Sequence, residues 1–577
     1  MKYELNLSLE ELEKRTNKEY LIRKPMLDVN APEYNELEQG DKEALKHLVK
    51  AAEYANIIYM KQDNEDNIEF KNFLEDEIKK GNKKAELTKI LFDAQLGIIG
   101  IDSESKKVVL QKNANEKDGK AFYPSDLTKE ELQCILKLML KNGEREEVQK
   151  ILNQRSIVKR IDNKLKGIDY TEEFKEEFNK IADELEKAAQ TSTNKDFNEY
   201  LLLQAKALRE NNPMLDAQAD KKWASLQNTP LEFTISREQY ADLLTGTVIE
   251  DEELKNLLEQ NAITVTSKDS IGIRVGIVNK KGTKDLLKVK KYLPLMADNM
   301  PLKDKYEQNI SSEADNLQTM VDADIVSLRG DEGSYRGGIT IAQNLPNNDK
   351  LSLTIGGGRR NVYHRQVRTN NSPDALQRRQ KRLDATLDKN LHKYYNPEAD
   401  HWFTIGHENV HSLGPKSGTE ALGKYKNIIE ENKADMGAIA LLDCLTKAGV
   451  YTEEEKKQII VTFAANCFLK AKPELSQAHR VRTVMQAFFF IKEHAINISP
   501  DGIINVDIEK MIPAAYKMLT EIIEVQLSQD FNRGEKFIND YFNWTQDIEA
   551  VSQKLREIDK SLNGMIITPL ADYLLKN

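Results

Sequence analysis

The chain has 577 residues, and single hydrophobic cores stop growing near roughly 250 to 300 residues, so two or three folding units are expected. An apolar fraction of 40% beside 31% charged residues excludes a disordered chain, and a net charge of −10 argues against a nucleic-acid footprint. No apolar run approaches the ~20 residues of a membrane span, no secretory signal is legible at the amino terminus, and Cys134, Cys444 and Cys467 fit neither a metal nor a disulfide framework. A cytoplasmic location is expected.

Residues 1–225 are expected to be mainly helical, with apolar residues at three and four spacing and lysine and glutamate on the polar faces, as in EFKNFLEDEIKK. Thr128 followed by Glu131 marks one helix start as a capping box. QTSTNKD, near 190–196, is a linker or a turn between helices. Residues 226–350 change character: LEFTI, AITVTS, IGIRVGIVN and GGITIAQNL are short β-branched runs bounded by Gly, Asn and Asp, the signature of strands. GGGRR, Gly356–Arg360, lacks the Gly-Lys-Ser/Thr ending of a phosphate loop and reads as a tight turn. Arg359, Arg360, Arg365, Arg368, Arg378, Arg379, Lys381 and Arg382 form a basic island, expected to be a solvated face. Within 351–577 the helical pattern returns and persists to the carboxyl end.

This last region contains FTIGHENVHSLGP. On a helix His407 and His411 share one face, and Glu408 sits beside them. With eight histidines in the chain, His-Glu-x-x-His arises by chance in roughly one such sequence in a hundred, so the motif needs support. IIEENKADMGAIALL supplies it, because Glu431 lies twenty residues after His411 and Asp435 one helical turn beyond. Glu431 can be the third ligand, and Asp435 can fix a ligating histidine from behind. LGPKSGT between them lets the chain reverse. Two imidazoles and one carboxylate leave a fourth position for water, the pattern of a catalytic zinc ion, with Glu408 as proton acceptor. One Zn2+ per chain and peptide hydrolysis are expected. His401 and Trp402, at the start of this helix, are expected to pack its outer side.

HENVHSLG followed by EENKAD resembles the dipeptidyl peptidase III family of zinc peptidases, more closely its bacterial and plant members, and weaker similarity runs through AFYPSDLTKEE, Gly333–Asp349 and AHRVRTVMQAFFFIKEHAI. The resemblance implies an α+β, predominantly α, two-lobed metallopeptidase with a helical zinc-binding lobe and a smaller strand-containing lobe. It implies His407, His411 and Glu431 as ligands, Glu408 as base, and Glu430 and Asp435 behind the ligands. His479 matches a histidine that steadies the oxyanion; Tyr335 is the candidate for an assisting tyrosine. Asn361 and Arg336 are the candidate substrate contacts, with Glu332 as a possible acid for the peptide amino terminus. The animal and yeast enzymes carry one more residue between the two histidines than this sequence does.

The resemblance further implies release of dipeptides from oligopeptide amino termini, on a strand edge supplied by 226–350. Endopeptidase or aminopeptidase specificity on the same chemistry is the alternative, as is a non-enzymatic, zinc-containing peptide-binding protein. The expected partners are oligopeptides, without nucleic acid or membrane, for a monomer or homodimer.

Overall fold

The computed structural model describes residues 2–17, 26–101, 107–210, 212–238, 242, 244, 249, 251–263, 265, 267–308, 319–332, 342–345, 355, 360–365, 373–473, 475, 478–560 and 569–577. Helices dominate, and the strands fall into one five-stranded sheet and three two-stranded hairpins among the described residues.

The sheet runs in the order Leu231–Glu238, Ser270–Val278, Thr319–Gly330, Arg360–Arg365, Ala342–Leu345. All neighbours are antiparallel except Thr319–Gly330 with Arg360–Arg365, which are parallel. LEFTI and IGIRVGIV lie in strands as their alternation predicts. The described residues of AITVTS carry no strand; the described part of GGITIAQNL, Ala342–Leu345, is a strand, and the rest lies outside the described residues. Two strands are not legible as such in the sequence. Thr319–Gly330 holds the middle of the sheet, yet its Asp322 and Asp324 break the apolar pattern. Both are buried, and Asp324 accepts a hydrogen bond from Asn279 at 2.9 Å. Arg360–Arg365, past the expected strand-rich stretch, opens with a charge. Contrary to a solvated face, Arg360 is fully buried, 2.6 Å from Glu232 and over the Trp223 ring. Pairing is what makes such a burial tolerable.

The long helix Gln39–Asp63 packs on this sheet, with Ala55 Cβ only 3.0 Å from where a Cβ on Gly330 would stand, so small residues on both sides let helix and strand come close. Two hairpins, Ile99–Ile101 with Lys107–Val109 and Ser156–Ile161 with Lys164–Asp169, interrupt the amino-terminal helices. QTSTNKD is a turn, in which buried Asp41 accepts hydrogen bonds from the Ser192 hydroxyl and from the Thr193 amide and hydroxyl. Thr128 caps its helix by accepting from the Glu131 amide; the reciprocal box forms instead at Thr452 and Glu455.

Two large cores result. The first joins the amino-terminal helices, the sheet and the carboxyl-terminal Leu570, Ala571 and Leu574. The second gathers the helices from about residue 286 to 551. Within it lie the four helices that matter below, Pro397–His411, Lys426–Ala440, Ala478–Lys492 and Ile508–Ser528.

Candidate metal centre

The helix Pro397–His411 begins where Asn396 accepts a hydrogen bond from the Glu398 amide and Pro397 presets the backbone angle. Asn396 is itself tied to Gln458 and Thr462, so the helix start is fixed to its neighbour. Past the helix end Gly414 takes φ 92°, a left-handed value suited to glycine, and the chain turns back toward Lys426–Ala440. The two helices meet through small residues. A Cβ on Gly437 would stand 2.5 Å from Val410 Cγ1, and one on Gly406 would stand 3.2 Å from Ala438 Cβ. This close approach carries the carboxylates of one helix to the imidazoles of the other.

His407 Nδ1 lies 2.6 Å from Asp435 Oδ1, and His411 Nδ1 lies 2.9 Å from Glu430 Oε1. Ionised carboxylates only accept, so each Nδ1 carries the proton and each Nε2 faces inward. The two Nε2 atoms are 3.1 Å apart. Glu431 closes the group, 3.5 Å from His407 Nε2 and 3.9 Å from His411 Nε2. Among the described residues His407, His411 and Glu431 are the set whose ligand atoms all lie within 4.8 Å of one another. Two nitrogens on one zinc ion at ~2.05 Å and a tetrahedral angle stand roughly 3.3 Å apart. The donor set and spacing therefore fit a zinc ion.

Electrostatics agree. Burial, helped by neighbouring His411, pushes the His407 imidazole down to about 3, so this ring is neutral. For His411 burial acts downward too, but the hydrogen bond to Glu430 and the charges of Glu431 and Glu408 outweigh it and hold the ring above its usual value. Burial raises Glu431, but His479 beside it and the charges of His411 and His407 outweigh this and hold it well below the carboxylate range. Glu430 is brought to about 2, where Lys433 and His411 overcome its burial. Both carboxylates are thus ionised and able to face a cation.

Glu408 is half-buried, with Oε1 4.0 Å from His407 Nε2, beside the ligand group but outside it. His479 stands at the mouth, its side chain 71% exposed, 3.1 Å from Glu431. Tyr335 and Arg336 lie outside the described residues. Asn361 pairs through its backbone with Met320 and Asn344 in the sheet. Glu332 is a buried partner of Arg274 at 2.6 Å, which removes it as an exposed acid. His401 does not pack outward: it is buried against the sheet, 3.2 Å from Asp322 and edge-on to the ring of Tyr363. Trp402, half-buried, stacks near Tyr451.

Sequence reasoning missed the groups behind the carboxylates. Arg482 pairs with Asp435, and Gln486 donates to Asp435 at 2.9 Å. Lys433 lies 2.8 Å from Glu430, and Gln526 donates to it at 3.0 Å. A signal was present, since His479, Arg482 and Gln486 are polar at spacings of three and four and so share one face of their helix.

No protein-family model matches the chain. Nudix hydrolase 3 of Arabidopsis thaliana is 24% identical over 425 residues, 71% of this chain and 50% of that protein. The chain thus spans about half the length of the curated relative it matches. Two solved structures superpose over nearly the whole chain. The structure of DPP III from Caldithrix abyssi has a TM-score of 0.80 at 22% identity, covering 97% of this chain and 100% of that one. Dipeptidyl-peptidase III from Corallococcus sp. strain EGB has a TM-score of 0.73 at 20% identity, covering 98% of each. The chain has the fold of these structures, predominantly α with a smaller sheet-bearing part.

Proposed function

We propose that the protein is a zinc-dependent peptidase that cleaves oligopeptides and releases dipeptides from their amino termini. The observation that carries this reading is the meeting of two inward-facing imidazole nitrogens and an ionised carboxylate, with Glu408 alongside. The fold shared with two dipeptidyl-peptidase III structures supports both the reaction class and the stepwise removal of dipeptides.

His407, His411 and Glu431 hold the ion in this reading. Zinc so held supplies a Lewis acid that polarises the scissile carbonyl and acidifies water. Glu408 takes the proton of the attacking water and returns it to the leaving amine nitrogen. His479, which its contact with Glu431 holds above the usual imidazole value, donates a hydrogen bond to the developing oxyanion. Asp435 and Glu430 keep both imidazoles in the tautomer that offers Nε2. Tyr335 is the proposed assisting tyrosine, and Arg336 and Asn361 are the proposed substrate contacts. The free cysteines support a reducing compartment, and among the described residues no helix is long and apolar enough to cross a membrane.

The test is mass spectrometry of a mixed pool of short peptides incubated with the purified, zinc-loaded protein, with Glu408→Ala as control. Dipeptides appearing stepwise from free amino termini are the expected products. Internal cuts would replace the specificity with that of an endopeptidase, and single residues with that of an aminopeptidase. The absence of any Glu408-dependent cleavage would leave a zinc-containing peptide-binding protein.

A further inference from the structure

The helix Ala478–Lys492 presents His479, Arg482 and Gln486 along one face, each one turn deeper than the last. His479 reaches the mouth of the metal centre, whereas Arg482 and Gln486 reach the carboxylate behind it. The Arg482 guanidinium pairs with Asp435, and its Nε lies 3.8 Å from Glu431 Oε2. Arg482 Nε has no hydrogen-bond partner although it is buried, whereas Glu431 Oε2 has His479 Nδ1 at 3.1 Å. Gln486 donates from one amide nitrogen to Asp435 and to Asn432, each at 2.9 Å. Asp435 therefore has one oxygen for His407 and the other for Arg482 and Gln486. The opposite carboxylate is held differently, since Glu430 takes its cation, Lys433, from its own helix.

We infer that Arg482, backed by Gln486, is a positioning residue that holds Asp435 against His407 and keeps Glu431 in place as a ligand, so that the helix bearing His479 also sets the metal affinity. A guanidinium can brace two carboxylates at once because its donors are fixed in a planar fork. Gln486 turns the same Asp435 oxygen from a second direction. Removing the brace frees Asp435 to rotate, and His407 then loses the partner that fixes its ring and tautomer. The inference rests on the zinc reading proposed above.

The experiment measures zinc affinity by chelator competition on metal-stripped protein, with the zinc-free melting transition recorded for each variant. Arg482→Met is expected to weaken zinc binding roughly ten- to a hundredfold, and Arg482→Lys to recover part of the loss. In an Asp435→Asn background the same Arg482→Met change should cost clearly less than it does alone, because the arginine acts in part through that carboxylate. Wild-type affinity in Arg482→Met, or losses that multiply in the double variant, would overturn the inference. Should Arg482→Met fail to fold, Gln486→Leu carries the test: a several-fold loss absent from the Asp435→Asn background supports the inference, and unchanged affinity overturns it. Wild-type protein that binds no zinc would remove the zinc reading and this inference with it. Tight wild-type binding with unaltered variants would remove the inference alone.

Discussion

Two buried polar clusters in this molecule look alike in composition and differ in how their atoms are satisfied. In the first core the Lys268 ammonium is fully buried and donates to the carbonyls of Ile151 and Asn153 and to the Ser156 hydroxyl, at 2.6 to 2.8 Å. The Tyr123 ring lies 5.3 Å from it, and Asp242 next to it accepts from the Tyr123 hydroxyl and the Lys268 amide. An ammonium has three protons to donate, and here each finds an acceptor. In the second core the two imidazole Nε2 atoms face each other at 3.1 Å, and buried Arg482 Nε lacks a hydrogen-bond partner. The first network is closed by the chain's own atoms and acts as a brace. The second gathers ligand atoms of His407, His411 and Glu431 within 4.8 Å of one another, the arrangement a cation site requires.

The comparison breaks most visibly through chemistry. Glu408→Gln keeps the shape of the side chain and removes the base, so peptide turnover should fall by about 10²- to 10⁴-fold while the zinc content stays at the wild-type level. Turnover assays on metal-quantified protein check this, and loss of zinc in the variant would show that Glu408 belongs to the ligand set instead.

A smaller effect is expected from the brace. Lys268→Met leaves the two carbonyls and the Ser156 hydroxyl without their donor, so stability should fall by about 1 to 3 kcal/mol in denaturant titrations, with zinc affinity unchanged. Burial, acting against Asp242 and Asp269, lowers folded Lys268 from 10.5 to about 7. Between these values the unfolded chain holds a proton that the folded chain has released, so this group makes wild-type stability rise with pH. The rise is at most about 1.4 kcal/mol per pH unit, and it stops below the folded value. The gap between wild type and Lys268→Met should therefore widen from pH 7 upward, and a gap that narrows would contradict the depressed lysine.

The mildest change sharpens the second cluster. Glu430→Gln preserves an acceptor for His411 but removes the charge between it and Lys433. Zinc affinity should drop by roughly ten- to a hundredfold. Stability of the zinc-free protein should fall as well, because buried Lys433 loses its carboxylate, and chelator titration of the folded variant reads the affinity separately from denaturant titration.

These differences mark what the sequence could reveal. The residue types of the metal centre were legible because helical spacing is local: His407 with His411, and Glu431 with Asp435, are each one turn apart. What brings the two helices together was not. Gly406 and Gly437 read as weak helix residues, and their reason, the contact with Ala438 and Val410, lies across the fold. Strands were legible where β-branched residues ran together, as in IGIRVGIV, but not where tertiary partners satisfy a buried charge, as for Asp322, Asp324 and Arg360. The capping signal at Thr128 gave the helix start correctly but not the reciprocal bond, which depends on how the Glu131 side chain is drawn toward Arg160 at 2.8 Å. Lys268, in a stretch resembling a strand, carries no local sign of its burial.

The most direct measurement is elemental analysis of metal after exhaustive dialysis, for the wild-type protein, Lys268→Met and Glu431→Ala side by side. The account predicts one zinc per chain in the wild type and in Lys268→Met, and almost none in Glu431→Ala. A zinc-free wild type, or zinc retained by Glu431→Ala at the wild-type level, would contradict it.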